Sequence, residues 1–277
     1  MRNRAVWILS VGLVLSSVAK AENKLFITDV LDPGQMEAQG TLRFTRSSED
    51  SFTSSGVTGR AYRRTSRVSL SLGRGIGDGY QLDAAIPLVL TDDQINTFNG
   101  VSSTVDRSGI GDLDIGLKYR IAGAEQGPYV VSARLDIKPQ TADSNKAGTG
   151  TTNISPQLAA SFRIGDGLRP YGVYEPTFRN HGEADTHTLA FGAEKIFSQV
   201  VAMTLNISAS RNTASDSVAG YSSYSIGLSS YIEIRRNLYL IPALSFSWFG
   251  ERKAINGSFR IDSSKVTGAS LGVYYLF

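Results

Sequence analysis

From residue 36 onward, apolar and polar side chains alternate at period two in one short segment after another. In 111–121, "GDLDIGLKYRI", Leu113, Ile115, Leu117, Tyr119 and Ile121 share one face, and Asp112, Asp114, Lys118 and Arg120 share the other. Successive side chains of an extended chain point to opposite sides, so the pattern predicts a β-strand and excludes a helix. Segments 36–44, 80–90, 129–138, 154–164, 201–210, 224–234 and 238–248 repeat it, each with one clean apolar face. Weaker copies at 60–72, 170–179 and 187–197, where the parity reads either way, and a final copy at 267–277 bring the total to about twelve strands.

The connections between these segments sort by length. Polar stretches near 46–59, 91–109, 139–152, 211–220 and 250–264 are long, whereas those near 73–79, 122–128, 165–170, 197–200 and 235–237 are short. A soluble sandwich has half-buried alternating strands too, but no reason to sort its loops by parity. In lipid, only helices and closed barrels satisfy every backbone hydrogen bond. Nine to eleven residues at about 3.3 Å each, tilted by ~40°, cross the ~25 Å apolar band of an outer membrane. The expected fold class is therefore all-β: a transmembrane antiparallel up-and-down β-barrel of about 12 strands, with long outer loops and short periplasmic turns. Hydrophobic content of 41% does not argue otherwise, because a barrel places polar residues on alternate positions.

The N-terminus sets the compartment. Arg2 and Arg4 precede the apolar run "AVWILSVGLVLSSVA", and Ala19-Lys20-Ala21 offers small residues where a signal peptidase cuts. The expected organisation is a cleaved signal peptide at 1–21, a periplasmic or lumenal segment at 22–35 that lacks strand alternation, and an outer-membrane β-barrel at 36–277. Removing Arg2, Arg4 and Lys20 from the 28 basic residues leaves 25 against 25 acidic ones. The pI near 9.0 is then no argument for nucleic acid or anionic lipid as a partner. The absence of cysteine leaves neither disulfides nor thiolate metal sites.

Charges at bilayer depth are tolerated only inside a barrel, and near-equal numbers of both signs imply cross-strand ion pairs. The lumen-lining set, with a candidate constriction, is Arg43, Arg63, Arg67, Asp83, Asp112, Asp114, Lys118, Arg120, Arg134, Asp136, Lys138 and Arg163; Arg179, Glu37, Glu175, Glu194 and Glu233 share its parity. Tyr80, Tyr119, Tyr129, Trp248 and Tyr275 fall near strand ends on the apolar face and read as interface girdle. "GRGIGDG" at 73–79 misses the spacing of a nucleotide loop and precedes a strand, so it reads as a turn. His181 and His187, near Glu183 and Asp185 in one outer loop, read as solvated. No catalytic, cofactor-binding or metal-binding residue is assigned.

Three resemblances sharpen this reading. The ending "TGASLGVYYLF", with Leu271, Val273, Tyr275 and terminal Phe277 on one face, resembles the recognition signal read by the barrel-assembly machinery of the bacterial outer membrane. In strand number the chain is similar to the outer-membrane phospholipases, whose His-x-Ser pair does lipolysis. Here the window is His187-Thr188-Leu189, without the nucleophile. "SGIGDLDIGLKYRI" (108–121) resembles the G-D-L-x-x-G-x-K-Y signature of the MetA-pathway of phenol degradation family, through Gly111, Asp112, Leu113, Gly116, Lys118 and Tyr119. That resemblance implies an outer-membrane barrel, embedded in outer-membrane lipid, that admits hydrophobic or aromatic compounds. Passage of a small-molecule permeant through a charge-lined lumen is the leading expectation. The alternatives are a structural or surface-interaction barrel with a plugged lumen and, third, an envelope lipid hydrolase.

Overall fold

A computed structural model describes residues 26–53, 56, 58–143, 147–165, 167–198 and 200–277; the leader expected at 1–21 lies outside the described residues. The strands are β1 (Met36–Thr53), β2 (Thr58–Gly77), β3 (Tyr80–Phe98), β4 (Val101–Ile110), β5 (Asp114–Gly123), β6 (Tyr129–Lys138), β7 (Asn153–Phe162), β8 (Leu168–Arg179), β9 (Thr186–Ile196), β10 (Val201–Asn212), β11 (Tyr221–Arg235), β12 (Leu238–Phe249), β13 (Arg252–Lys253), β14 (Phe259–Ile261) and β15 (Ser264–Leu276). All pairings are antiparallel, neighbouring wall strands run in chain order from β1 to β12, and β15 joins β12 to β1, so the sheet closes on itself. β4 and β5 succeed each other along the flank of β3 and act as one wall strand, while β13 and β14 form a hairpin in the last outer connection. The wall thus has twelve strands, as the alternation predicts.

The gap between β4 and β5, at 111–113, lies against Pro87 of β3. Proline has no N–H to give the ladder, and the remaining bond runs from the Gly111 N–H to the Pro87 carbonyl at 2.8 Å. A Cβ on Gly111 would stand 2.9 Å from the Pro87 ring.

Two expected long loops are not loops. Residues 46–53 and 58–59, and residues 91–98 and 101–109, continue as paired strand, with Phe52 opposite Thr58 and Phe98 opposite Val101. The reason is solvation. Beyond the membrane both faces of a strand meet water, so polar residues occupy both parities and the period-two signal vanishes although the hydrogen-bond ladder persists. Asn99 and Gly100 close the second hairpin with positive φ of 52° and 78°, the conformation that matches the twist of paired strands. Leu90 is a bulge in β3, since Ser66 faces Thr91 and Arg67 faces Val89. "GRGIGDG" forms the end of β2 and the Asp78-Gly79 turn.

Leu70, Leu82, Leu117, Leu158, Phe191, Leu205, Leu244 and Leu271 are exposed on the outer face. Tyr80 stacks on Tyr119 at 4.4 Å and Tyr275 on Phe277 at 5.5 Å, at the inner, short-turn end. Among the described residues, buried apolar clusters occur only where residues 26–31 meet the inner wall. Phe26 packs on Ala159, Tyr171 and Val173, and Leu31 on Tyr239, Tyr274 and Leu276.

Candidate functional site

The lumen is the site, and three tiers of residues build it. The inner tier is a plug formed by 26–31, in which Thr28, Val30 and Leu31 are fully buried. A segment entering a barrel must satisfy its own backbone, and here the wall supplies the partners. The Leu31 N–H donates to Gln81 Oε1 (2.9 Å) and the Val30 N–H to Glu125 Oε1 (3.0 Å). Lys118 Nζ donates to the Asp29 carbonyl, and Arg120 reaches both the Val30 carbonyl and Glu125. Thr28 shares a hydroxyl bond with Ser161 at 2.8 Å. Arg169 contacts the Asp29 carboxylate at 3.4 Å and lies over the Phe26 ring, which meets Tyr171 edge to face. Below, the 32–35 turn crosses Gly75, where a Cβ would stand 2.0 Å from the Asp32 carbonyl oxygen.

The middle tier is a charge relay across three strands. Arg134 donates through Nη1 to Asp83 (2.7 Å) and through Nε to both oxygens of Asp136 (2.8 and 2.7 Å). Gln81 joins Asp83 to Glu37, and the Tyr274 hydroxyl donates to Glu37 at 2.8 Å. Gly116 faces this cluster. A Cβ there would sit 2.5 Å from Asp136 and 2.6 Å from the Arg134 guanidinium, so glycine makes the room.

The outer tier is open. A cavity of about 270 Å³ is lined by Arg67, Ser69, Ala85, Pro87, Val89, Asp112, Asp114, Lys138, Ala147 and Thr149. Asp114 and Lys138 also line an adjoining space of about 170 Å³ with Asp136 and Arg179. One buried oxygen of Asp114 has no hydrogen-bond partner among the described residues. Arg43 lies directly opposite Arg67, and both are exposed to the lumen.

Asp112 does something the alternation does not reveal. It accepts hydrogen bonds from the N–H groups of Thr141, Ala142 and Thr149 and from the Thr149 hydroxyl, and so holds these residues of the β6–β7 connection beside the outer cavity. Arg63 stands in the tall hairpin and grips Asp92 with two 2.6 Å bonds, which lower the Asp92 carboxyl. Arg163 lies in the inner turn, exposed, donating to the Glu125 carbonyl, so it belongs to the rim and not to a constriction.

The sequence reading missed Gln81, Glu125 and Arg169 as plug contacts. For Arg169 a signal existed: starting the strand at Leu168 puts Arg169, Tyr171, Val173 and Glu175 on one face. His187, at the start of the expected 187–197 strand, is on β9, its Nδ1 3.0 Å from the Tyr174 hydroxyl and its ring beside Phe178; His181 lies in the loop with φ 59°.

The family model described as "Putative MetA-pathway of phenol degradation" matches residues 43–188 of the 277. No curated protein matches the chain. Among solved structures, an outer membrane channel from Pseudomonas putida F1 is similar over 92% of this chain and 100% of its own, at 12% identity and a TM-score of 0.62. A FadL homologue from Pseudomonas aeruginosa is 10% identical over 91% of this chain and 95% of its own, with a TM-score of 0.47. The first similarity establishes the outer-membrane barrel fold; the second is too distant to carry an argument.

Proposed function

The chain belongs to the family described as "Putative MetA-pathway of phenol degradation", and from that premise we propose that it is an outer-membrane channel for small molecules. Permeants enter the outer cavity and leave past the plug. One observation carries the reading: above a satisfied tier of ion pairs lies an open cavity whose charged groups are not all used by the protein itself. Arg43, Arg67 and Lys138 have no ion-pair partner among the described residues, whereas Asp83 and Asp136 are paired with Arg134. Against these three cations the outer cavity sets two carboxylates, Asp112, held by neutral donors, and Asp114.

This imbalance supports a preference for anions, and the family description supports small aromatic ones such as a phenolate or ring carboxylate. In planar bilayers the folded chain is expected to form discrete conducting steps, with a reversal potential in a KCl gradient that favours chloride. Arg43→Glu with Arg67→Glu should move that potential toward cation preference. A silent bilayer, or a potential unmoved by the double variant, contradicts the proposal. The second reading, a structural barrel sealed by its plug, is favoured by the full burial of Thr28, Val30 and Leu31. It requires the silent outcome.

A further inference from the structure

The lumen leaves one groove on the lipid side unexplained. Where β15 passes between β12 and β1, its outward side chains are small: Ala269 lies between Leu244 and Phe44, and Thr267 between Phe246 and Arg46. These residues and their neighbours on β2 and β3 enclose about 580 Å³, with Arg64, Ser66, Thr91 and Asp93 on the far side. Phe44, Leu244 and Phe246 are each about half exposed, at 53%, 54% and 48%. The floor and lower walls are therefore an apolar furrow, and its upper end is cationic.

Height fixes what solvates that end. Ala38 pairs with Tyr275 at the inner aromatic girdle, and Arg46 follows eight residues later on the same outward parity. At ~3.3 Å per residue and ~40° of tilt, Arg46 stands about 20 Å above the girdle, close below the outer edge of the ~25 Å apolar band. From there an arginine side chain extends upward to the headgroups. Arg46 is also directly opposite Arg64 across β1 and β2. Neither guanidinium has an ion-pair partner among the described residues, although Arg60 and Arg63 on the same hairpin are both paired. Like charges placed opposite one another destabilise a sheet, and more so beside hydrocarbon than in water. Asp93, across from Arg64, offsets only part of the charge.

We propose that this groove holds one phosphorylated lipid of the outer leaflet, its phosphate between Arg46 and Arg64 and an acyl chain over Ala269 between Phe44 and Leu244. The guanidinium fork matches phosphate geometry, and the anion relieves the repulsion between the two arginines. The furrow leads down from the charged end, which fits an amphiphile and leaves a soluble anion without contacts for half of the site.

The test uses the full mature chain, folded in detergent micelles doped with bisphosphorylated lipid A or with the same lipid after phosphatase treatment, and reads co-retained lipid by native mass spectrometry. The phosphorylated form should be retained about tenfold better, and Arg46→Gln with Arg64→Gln should abolish that difference. Inorganic phosphate at the same concentration should not displace it. Equal retention of the two lipids by the unaltered chain overturns the proposal, as does an unchanged preference in the double variant. Full displacement by inorganic phosphate overturns it as well. If the double variant does not fold, the comparison of the two lipids on the unaltered chain decides alone.

Discussion

Five residues of the G-D-L-x-x-G-x-K-Y stretch have separate physical duties. Gly111 passes close to Pro87, Asp112 caps the 139–152 connection, Gly116 leaves room for the Arg134–Asp136 pair, Lys118 holds the plug and Tyr119 stacks in the girdle. The inward parity of Asp112 was legible in the sequence; its use as a loop organiser was not, because its donors, three backbone N–H groups and a threonine hydroxyl, lie 29 to 37 residues away. Limited proteolysis at neutral pH should find the 139–152 connection protected in the unaltered chain. Asp112→Asn, which weakens the four bonds by about 1–3 kcal/mol in total, should make it susceptible. Equal protection of both chains would show that Asp112 does not hold this connection.

At the scale of elements, the alternation found all wall strands that face lipid on one side and failed wherever the solvent was the same on both. That failure accounts for the tall β1–β2 and β3–β4 hairpins. It also accounts for the plug. "FITDVL" carries no period-two pattern because its residues are surrounded by the wall on every side, and Phe26 and Leu31 are buried by different strands at opposite ends of the segment. Its seating is testable through Gly75, a wall position where a side chain would strike the 32–35 turn. Gly75→Ala is expected to unseat the segment and raise single-channel conductance several-fold, with the thermal midpoint of the barrel little changed. Unaltered conductance in a folded variant would mean that the plug does not control the path.

The whole molecule inverts the arrangement of a soluble protein. Its apolar residues line the outside, its ion pairs and hydrogen bonds fill the inside, and among the described residues the buried apolar clusters are those that fasten the plug. Such an exterior is stable only in hydrocarbon, and the channel proposal and the lipid groove both depend on it. The chain contains no cysteine, so single cysteines can report each face without background. The decisive measurement is labelling by a charged, membrane-impermeant thiol reagent of intact cells carrying Arg43→Cys or Arg67→Cys on the lumen side, against Leu70→Cys or Leu88→Cys on the outer face. The account predicts rapid modification of the first two and protection of the last two until detergent is added. Equal labelling of all four would contradict it.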